Sequence, residues 1–376
     1  MFEKLSYLAL QEYWWFLIGV LGALFVFMTF VQGGQTLMPI LAKKEEQKDL
    51  LVNALGRKWE LGFTSLVMFG GALFAAFPLF YSVSFGGAYF VWMAILFCFI
   101  IQAVAYEYRK KPDNLFGERT YELFLFINGS LGIILIGIAL GTLFTGGHFV
   151  VNEMHLSHWT NGWYGLEAVL NPFNVAFGFM LFFLSRLLGA LYFIHIVDDD
   201  AIVARARKMV KICTIMFLLT FAYVAGSLLL MRGFAYDPAT HAIVMEKGRF
   251  LHALLDMPIV LALLLVGVVS LLSGICITLW KKSRKGIWPA GLGVVMVVLS
   301  LFLLLGFDHG VIYPSLSDPQ SSLTIENASG SRYTLVAMSY VSLMVPFVLA
   351  YIVAVWRAMD RKPLTVEEIE NDPHHY

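Results

Sequence analysis

Residues 123–145 read LFLFINGSLGIILIGIALGTLFT, with no Asp, Glu, Lys or Arg. A bilayer core about 30 Å thick needs around 20 apolar residues of helix, so this stretch reads as a membrane span. Eight more runs satisfy the same ruler, near 13–32, 62–81, 87–106, 171–194, 212–231, 258–280, 289–307 and 335–356. The predicted fold is therefore all-α and integral to the membrane, with about nine spans forming a single polytopic domain over 1–376. Hardly any chain remains for a soluble domain. The second and third runs are separated only by residues 82–86, which predicts a tight helical hairpin.

Composition agrees. Of 376 residues 59% are hydrophobic and 14% charged, against roughly 45–50% and 25% in soluble domains. Basic and acidic residues balance at 26 each, which leaves no basic face for nucleic acid. Cys98, Cys213 and Cys276 each lie in an apolar run, without C-x-x-C spacing, so disulfides, zinc ribbons and covalent haem attachment are not expected. The N-terminus shows no cleavable signal; its first apolar run is long enough to span.

Basic residues alternate between loops. Those of one side carry 20, those of the other carry Lys4, Arg232, Lys247, Arg249 and Arg332, and Arg186 stands inside a span. The positive-inside rule then predicts an external N-terminus and a cytoplasmic C-terminus. Trp14 and Trp15 open the first span and Trp280 and Trp288 flank a later loop, as an interfacial aromatic belt would. Gly137 and Gly141 form a weak helix-packing signal.

Ionisable groups at membrane spans are the candidates for chemistry. Glu60 follows Trp59 at the start of the second span, Glu107 ends the third and Glu122 starts the fourth. A desolvated carboxylate there has a raised pKa and can pass protons; helix-dipole partners, or for Glu107 a solvated pairing with Arg109, are the structural alternatives. Arg186 must face protein or water, paired with a carboxylate of this chain or of a partner, or with an anionic cofactor substituent. None of the nine histidines falls near the middle of a span; His195 and His309 lie at span ends, and His148, His155 and His158 crowd one loop without zinc spacing. The sequence thus predicts no metal or redox group held by this chain. Walker, dinucleotide and nucleophile-elbow motifs are absent.

Several stretches resemble subunit II of the cytochrome bd quinol oxidases. They are Trp14-Trp15, the run GGALFAAFP at 70–78, Leu170-Asn171-Pro172-Phe173, Ser322-Leu323-Thr324 with Asn327-Ala328-Ser329, and Leu364-Thr365 followed by Glu367-Glu368-Ile369-Glu370. The resemblance implies two four-helix bundles plus a peripheral ninth helix in a bacterial cytoplasmic membrane. It implies a quinol oxidase that reduces oxygen to water, with two b-type haems and one d-type haem on a partner, subunit I. Small single-span accessory subunits belong to the same expectation, as do quinone or lipid at the surface of this chain. The family's Trp-Asp pair lining a proton channel matches Trp59-Glu60, and its acidic-Tyr-Arg segment matches Glu107-Tyr108-Arg109. Two departures stand out. The family's arginine upstream of that segment is Gln102 here, and its aspartate-containing stretch after the first span reads TFVQGGQ at 29–35, with no carboxylate.

On this reading Glu60, Trp59 and Glu107 form the proton pathway and Arg186 is a structural or partner-facing charge. A pure scaffold with a quinone or lipid platform is the alternative, distinguished by a silent Glu60→Gln change. A stand-alone secondary transporter is a third, though no Gly/Pro-broken pair of half-helices supports it.

Overall fold

The computed structural model of the chain describes residues 2–237, 239–240 and 242–365; the acidic Glu367-Glu368-Ile369-Glu370 stretch lies outside them. Among the described residues nine helices are long and apolar enough to cross a membrane. They are α1 (Tyr7–Leu41), α2 (Glu45–Ala76), α3 (Tyr89–Tyr108), α4 (Glu118–Thr145), α5 (Pro172–Ile196), α6 (Asp200–Leu230), α7 (Pro258–Trp280), α8 (Ile287–Gly306) and α9 (Arg332–Met359). Each overlaps its predicted run. Helices α2 and α6 begin well before theirs, because their first turns carry Glu45, Lys48 and Asp49, or Arg205, Arg207 and Lys208. Those charged turns extend the helix and escape a hydropathy ruler.

Close approach of backbones organises the packing. Helix α5 lies against α1, α4 and α6, and α1 also packs on α2 and α8. A Cβ added at Gly137 would stand 2.5 Å from Gly178 Cα, and one at Gly141 would meet Asn174, so the weak glycine signal of α4 is the α4–α5 contact. The regular helix of α1 is interrupted at the single residue Thr29, whose hydroxyl donates back to the Val26 carbonyl at 2.6 Å, a side-chain bond that competes with the local ladder. The α2–α3 hairpin turns through a short helix, Pro78–Tyr81, and a π-helical stretch, Ser82–Gly87.

The tryptophan belt needs correction at one end. Trp280 and Trp288 are exposed, but Trp15 is fully buried and Trp14 nearly so. Trp15 donates to the Phe302 carbonyl at 2.7 Å and Trp14 to Ser339 Oγ at 3.0 Å. Each indole finds its partner on a neighbouring helix, so the pair locks α1 to α8 and α9 and does not face headgroups.

The two ends of the bundle differ. At the end carrying most basic residues, here the basic end, charged side chains join the helices. Lys58 and Asp360 pair at 2.8 Å with both side chains buried, and Leu364 bridges the α5–α6 turn through Ile196 and Asp198. At the opposite end two hairpins, β1 (Phe149–Val151) with β2 (Ser157–Trp159) and β3 (Arg232–Asp237) with β4 (Ala242–Lys247), meet the loop between α8 and α9. There Asn327 and Thr324 form a capping box, which gives the Asn327-Ala328-Ser329 stretch a structural use.

Candidate functional site

The sequence-predicted residues do not gather into one site. Glu60 is exposed on the flank of α2, without a hydrogen bond or ion pair to any described residue. Glu107 is also exposed, and it pairs with Lys111 at 3.2 Å rather than with Arg109. Trp59 turns inward and stacks on Tyr106, ring centroids 5.6 Å apart. Arg186 lies over the Phe182 ring at 5.3 Å and faces Cys213 on α6. No carboxylate among the described residues pairs with it.

A network of which the sequence singles out only Glu122 and Arg109 lies at the basic end. Arg109 is fully buried; its Nη1 donates to Asp49 Oδ1 at 2.8 Å and its Nη2 to Glu122 Oε1 at 3.0 Å. Lys48 reaches Glu122 and Glu45, and Lys110 reaches Asp49 and Glu118. Burial pulls the Arg109 guanidinium down, but Asp49 and Glu122 outweigh it and hold it above its ordinary value. Glu122 is thus an ion-pair partner joining α2, α3 and α4. Glu45, Glu118 and Glu122 bring carboxylate oxygens within cation-binding reach of one another, yet Lys48 and Arg109 already supply their positive charge.

Inward of this network lies a layer of neutral amides. Helix α3 presents Arg109, Tyr106, Gln102 and Cys98 one turn apart on its buried face. Gln35 of α1 donates to the Tyr106 hydroxyl at 3.2 Å. Gln32, Gln35, Gln102 and Asn128 are all fully buried. Both amide atoms of Gln32, Gln102 and Asn128, and the Gln35 oxygen, lack a hydrogen-bond partner among the described residues. Asn128 opens a π-helical turn, Asn128–Gly132, inside α4. That turn fits close to α1 and α3: a Cβ at Gly129 would meet Thr36 Cγ2 at 2.8 Å, and one at Gly132 would meet Cys98 Cβ at 3.1 Å. At 1.5 Å per residue, Gln102 stands about 10 Å inside Arg109 and Asn128 about 9 Å inside Glu122. Buried polar atoms are nearly always satisfied by protein or ordered water, so these amide atoms call for partners beyond the described side chains.

The other interior is dry. A cavity of about 90 Å³ between α1, α4 and the α5–α8 helices is lined by apolar side chains, among them Leu140, Phe177, Leu181, Leu271 and Phe302. A haem would need axial donors and cations for its propionates. The lining offers Met180 alone as a donor and no cation, and His195 holds the Arg284 carbonyl at 3.1 Å. These residues do not fit a haem.

The class is therefore a multi-pass helical membrane protein with one buried layer of neutral amides. Comparison with known proteins is consistent along the whole chain. The model of the cytochrome bd terminal oxidase subunit II family matches residues 10–359. Cytochrome bd-I ubiquinol oxidase subunit 2 of Escherichia coli K12 is 26% identical, covering 98% of this chain and 99% of its own. Cytochrome bd ubiquinol oxidase subunit 2 of Bacillus subtilis is 27% identical over 95% and 99%. The solved bd oxidase of Geobacillus thermodenitrificans shares the fold, with TM-score 0.65 and 14% identity over 93% of this chain and 98% of that one. The chain belongs to the cytochrome bd terminal oxidase subunit II family. It is a subunit of a membrane oxidoreductase complex with a partner subunit, which sets aside the stand-alone transporter.

The sequence registered Gln102 and the 29–35 stretch only as departures from the family pattern. The structure brings both to one layer. Both departures replace an expected charge by a neutral amide, Gln102 on α3 and Gln32 and Gln35 on α1. Asp49 carries no sequence signal, because it sits on a charged extension of α2 that precedes the apolar run, and Gln35 fits no motif.

Proposed function

We propose that this subunit stabilises a haem-bearing partner and conducts protons to it from the cytoplasm, which faces the basic end, leaving the N-terminus outside. In this reading two b-type haems and one d-type haem sit on the partner and carry electrons from quinol to oxygen. Single-span accessory subunits would complete the complex. What this chain contributes is a route for protons that makes turnover electrogenic.

The observation that carries the reading is the amide layer. Four fully buried amides with unsatisfied atoms, directly inside a charge network, would otherwise cost about 1–3 kcal/mol for each unpaired group. Water bonded to them, and to the Tyr106 hydroxyl, would pass protons inward along hydrogen bonds, the moving proton being the charge carried and no side chain there holding a fixed one. Arg109 and its acids would bring protons to the mouth. Glu60, unpaired on the α2 flank beside Trp59, is the group from which they pass to the partner.

The test is Glu60→Gln in the purified complex, reconstituted into proteoliposomes and followed by oxygen uptake and membrane potential together. The expected outcome is a fall of roughly a hundredfold or more in both, the range that one positioned proton-transfer group supplies. Full turnover with full charge translocation would sink the proton role and leave the scaffold.

A further inference from the structure

Helix α9 is not packed down on the bundle along its length. Between its second half and helices α1 and α2, at the basic end, a groove of about 590 Å³ remains. This is far more than a few waters need, at about 10–15 Å³ each. Its inner wall is aromatic: Phe27 stacks on Trp356 at 6.0 Å, and Trp288 lies 6.0 Å from the same ring. Further in, the walls are Leu21, Leu24, Met68, Leu349 and Ile352, with Thr64 and Ser65 on one side. From Arg357 to Leu349 the groove runs eight residues along α9, about 12 Å, close to the 15 Å of one leaflet's hydrocarbon.

The mouth is cationic. Lys285 and Arg357 both line it. Both are exposed, and neither side chain pairs with an acid among the described residues, whereas Arg284 is held by Asp198 and Lys58 by Asp360. Two free positive charges at the headgroup level, two indoles beside them and an apolar slot one leaflet deep are complementary to one kind of molecule. We propose that this groove holds one anionic phospholipid, its phosphate between Lys285 and Arg357 and an acyl chain along α1 and α9, so that lipid supplies the packing that α9 does not make.

The experiment uses the intact oxidase complex, delipidated in detergent and titrated with phosphatidylglycerol or phosphatidylcholine of equal chain length, with binding read by native mass spectrometry. A basic residue near an anionic lipid is worth roughly fivefold in affinity, so two should give about 25-fold. We expect one phosphatidylglycerol bound with about that preference. Lys285→Gln with Arg357→Gln should erase the preference, and Ser65→Phe, which fills the slot without touching charge, should abolish binding of both lipids. Equal binding of the two lipids overturns the proposal, as does a preference that survives either set of changes. So does a complex that takes up no lipid there because a partner helix or a quinone fills the groove. Each set of substitutions is read on complex that still carries its partner, and either set alone is enough to decide between these outcomes.

Discussion

Helix α1 borders two interiors of opposite character. Towards α2, α3 and the start of α4 it contributes Gln32, Gln35 and Thr36, all fully buried. Towards α5 and the helices beyond it borders a cavity whose lining is entirely apolar. The dry side is what a membrane bundle requires: close backbone contacts at Gly137 and Gly178, and filled space elsewhere. On that side the packing around α1 needs no amides; on the other, Gln32, Gln102 and Asn128 are buried with their amide atoms unpartnered among the described residues, which is the difference the proposed proton route addresses.

The largest effect should come from the network that closes the polar side. Arg109→Met removes a fully buried guanidinium and leaves Asp49 and Glu122 facing each other without it. Breaking a buried pair costs 3–5 kcal/mol, and because both acids are partly exposed the lower end, about 3 kcal/mol, is expected. The midpoint of detergent denaturation should fall accordingly, and Glu122→Gln added to it should recover part of the loss. A single Arg109→Met change that leaves the midpoint unmoved would mean that the polar side closes without its charges.

A reciprocal exchange sharpens the comparison. Gln102→Leu replaces an unsatisfied amide by an apolar group of similar size, which should change stability by no more than about 1 kcal/mol, in either direction. Leu181→Gln places an amide in the dry lining, where no partner or water awaits it, and should cost about 2–3 kcal/mol. Gln102→Leu should in turn slow oxygen uptake while Leu181→Gln, once folded, should not. Equal stability costs for the two would erase the distinction between the interiors.

Much of this fold was legible in the sequence, because membrane spans are long and their signal is the absence of charge. Residues 258–280 coincide with α7, whereas the run near 62–81 sits off its helix by more than a dozen residues at the start. There Glu45, Lys48 and Asp49 sit on a helix that the hydropathy of a bilayer core cannot register. The site was less legible. Glu60 and Glu107 were visible as carboxylates near span ends, but a side chain's direction around its helix decides whether it meets solvent, lipid or protein, and one residue turns that direction by about 100°. Gln32, Gln102 and Asn128 carry no charge and fit no motif. Their meaning comes from three helices bringing them to one depth. Trp14 and Trp15 misled for the same reason, since an indole satisfies its N–H equally well at a headgroup or at a carbonyl of the next helix.

The smallest effect expected concerns the two ends and their response to pH. At the basic end Asp199 caps α6, accepting from the Ile202 N–H at 2.9 Å and from Gln47 Nε2 at 2.9 Å. Burial pushes its carboxyl up, but these donors, the Ala201 N–H and the charge of Arg205 outweigh it and hold it below the ordinary carboxylate value. A depressed carboxyl contributes stability that is present above its unfolded pKa, about 3.9, and is lost as pH falls through the folded value. At the opposite end Tyr313 is fully buried, and desolvation pushes its hydroxyl up to about 12 despite the hydroxyls of Thr142 and Ser84. A raised phenol contributes stability that is present below about 10 and is lost as pH rises from there to about 12. Asp199→Asn should keep the cap, because asparagine caps helices as well as aspartate, and remove only the acid-side dependence. Tyr313→Phe should remove the alkaline one. Hydrogen exchange at the Ile202 and Leu323 amides reads the ends separately: acid should loosen the first and base the second. If both amides open together at either extreme, the two ends form one cooperative unit, and the contrast between the basic end and the hairpin end does not extend to how the molecule comes apart.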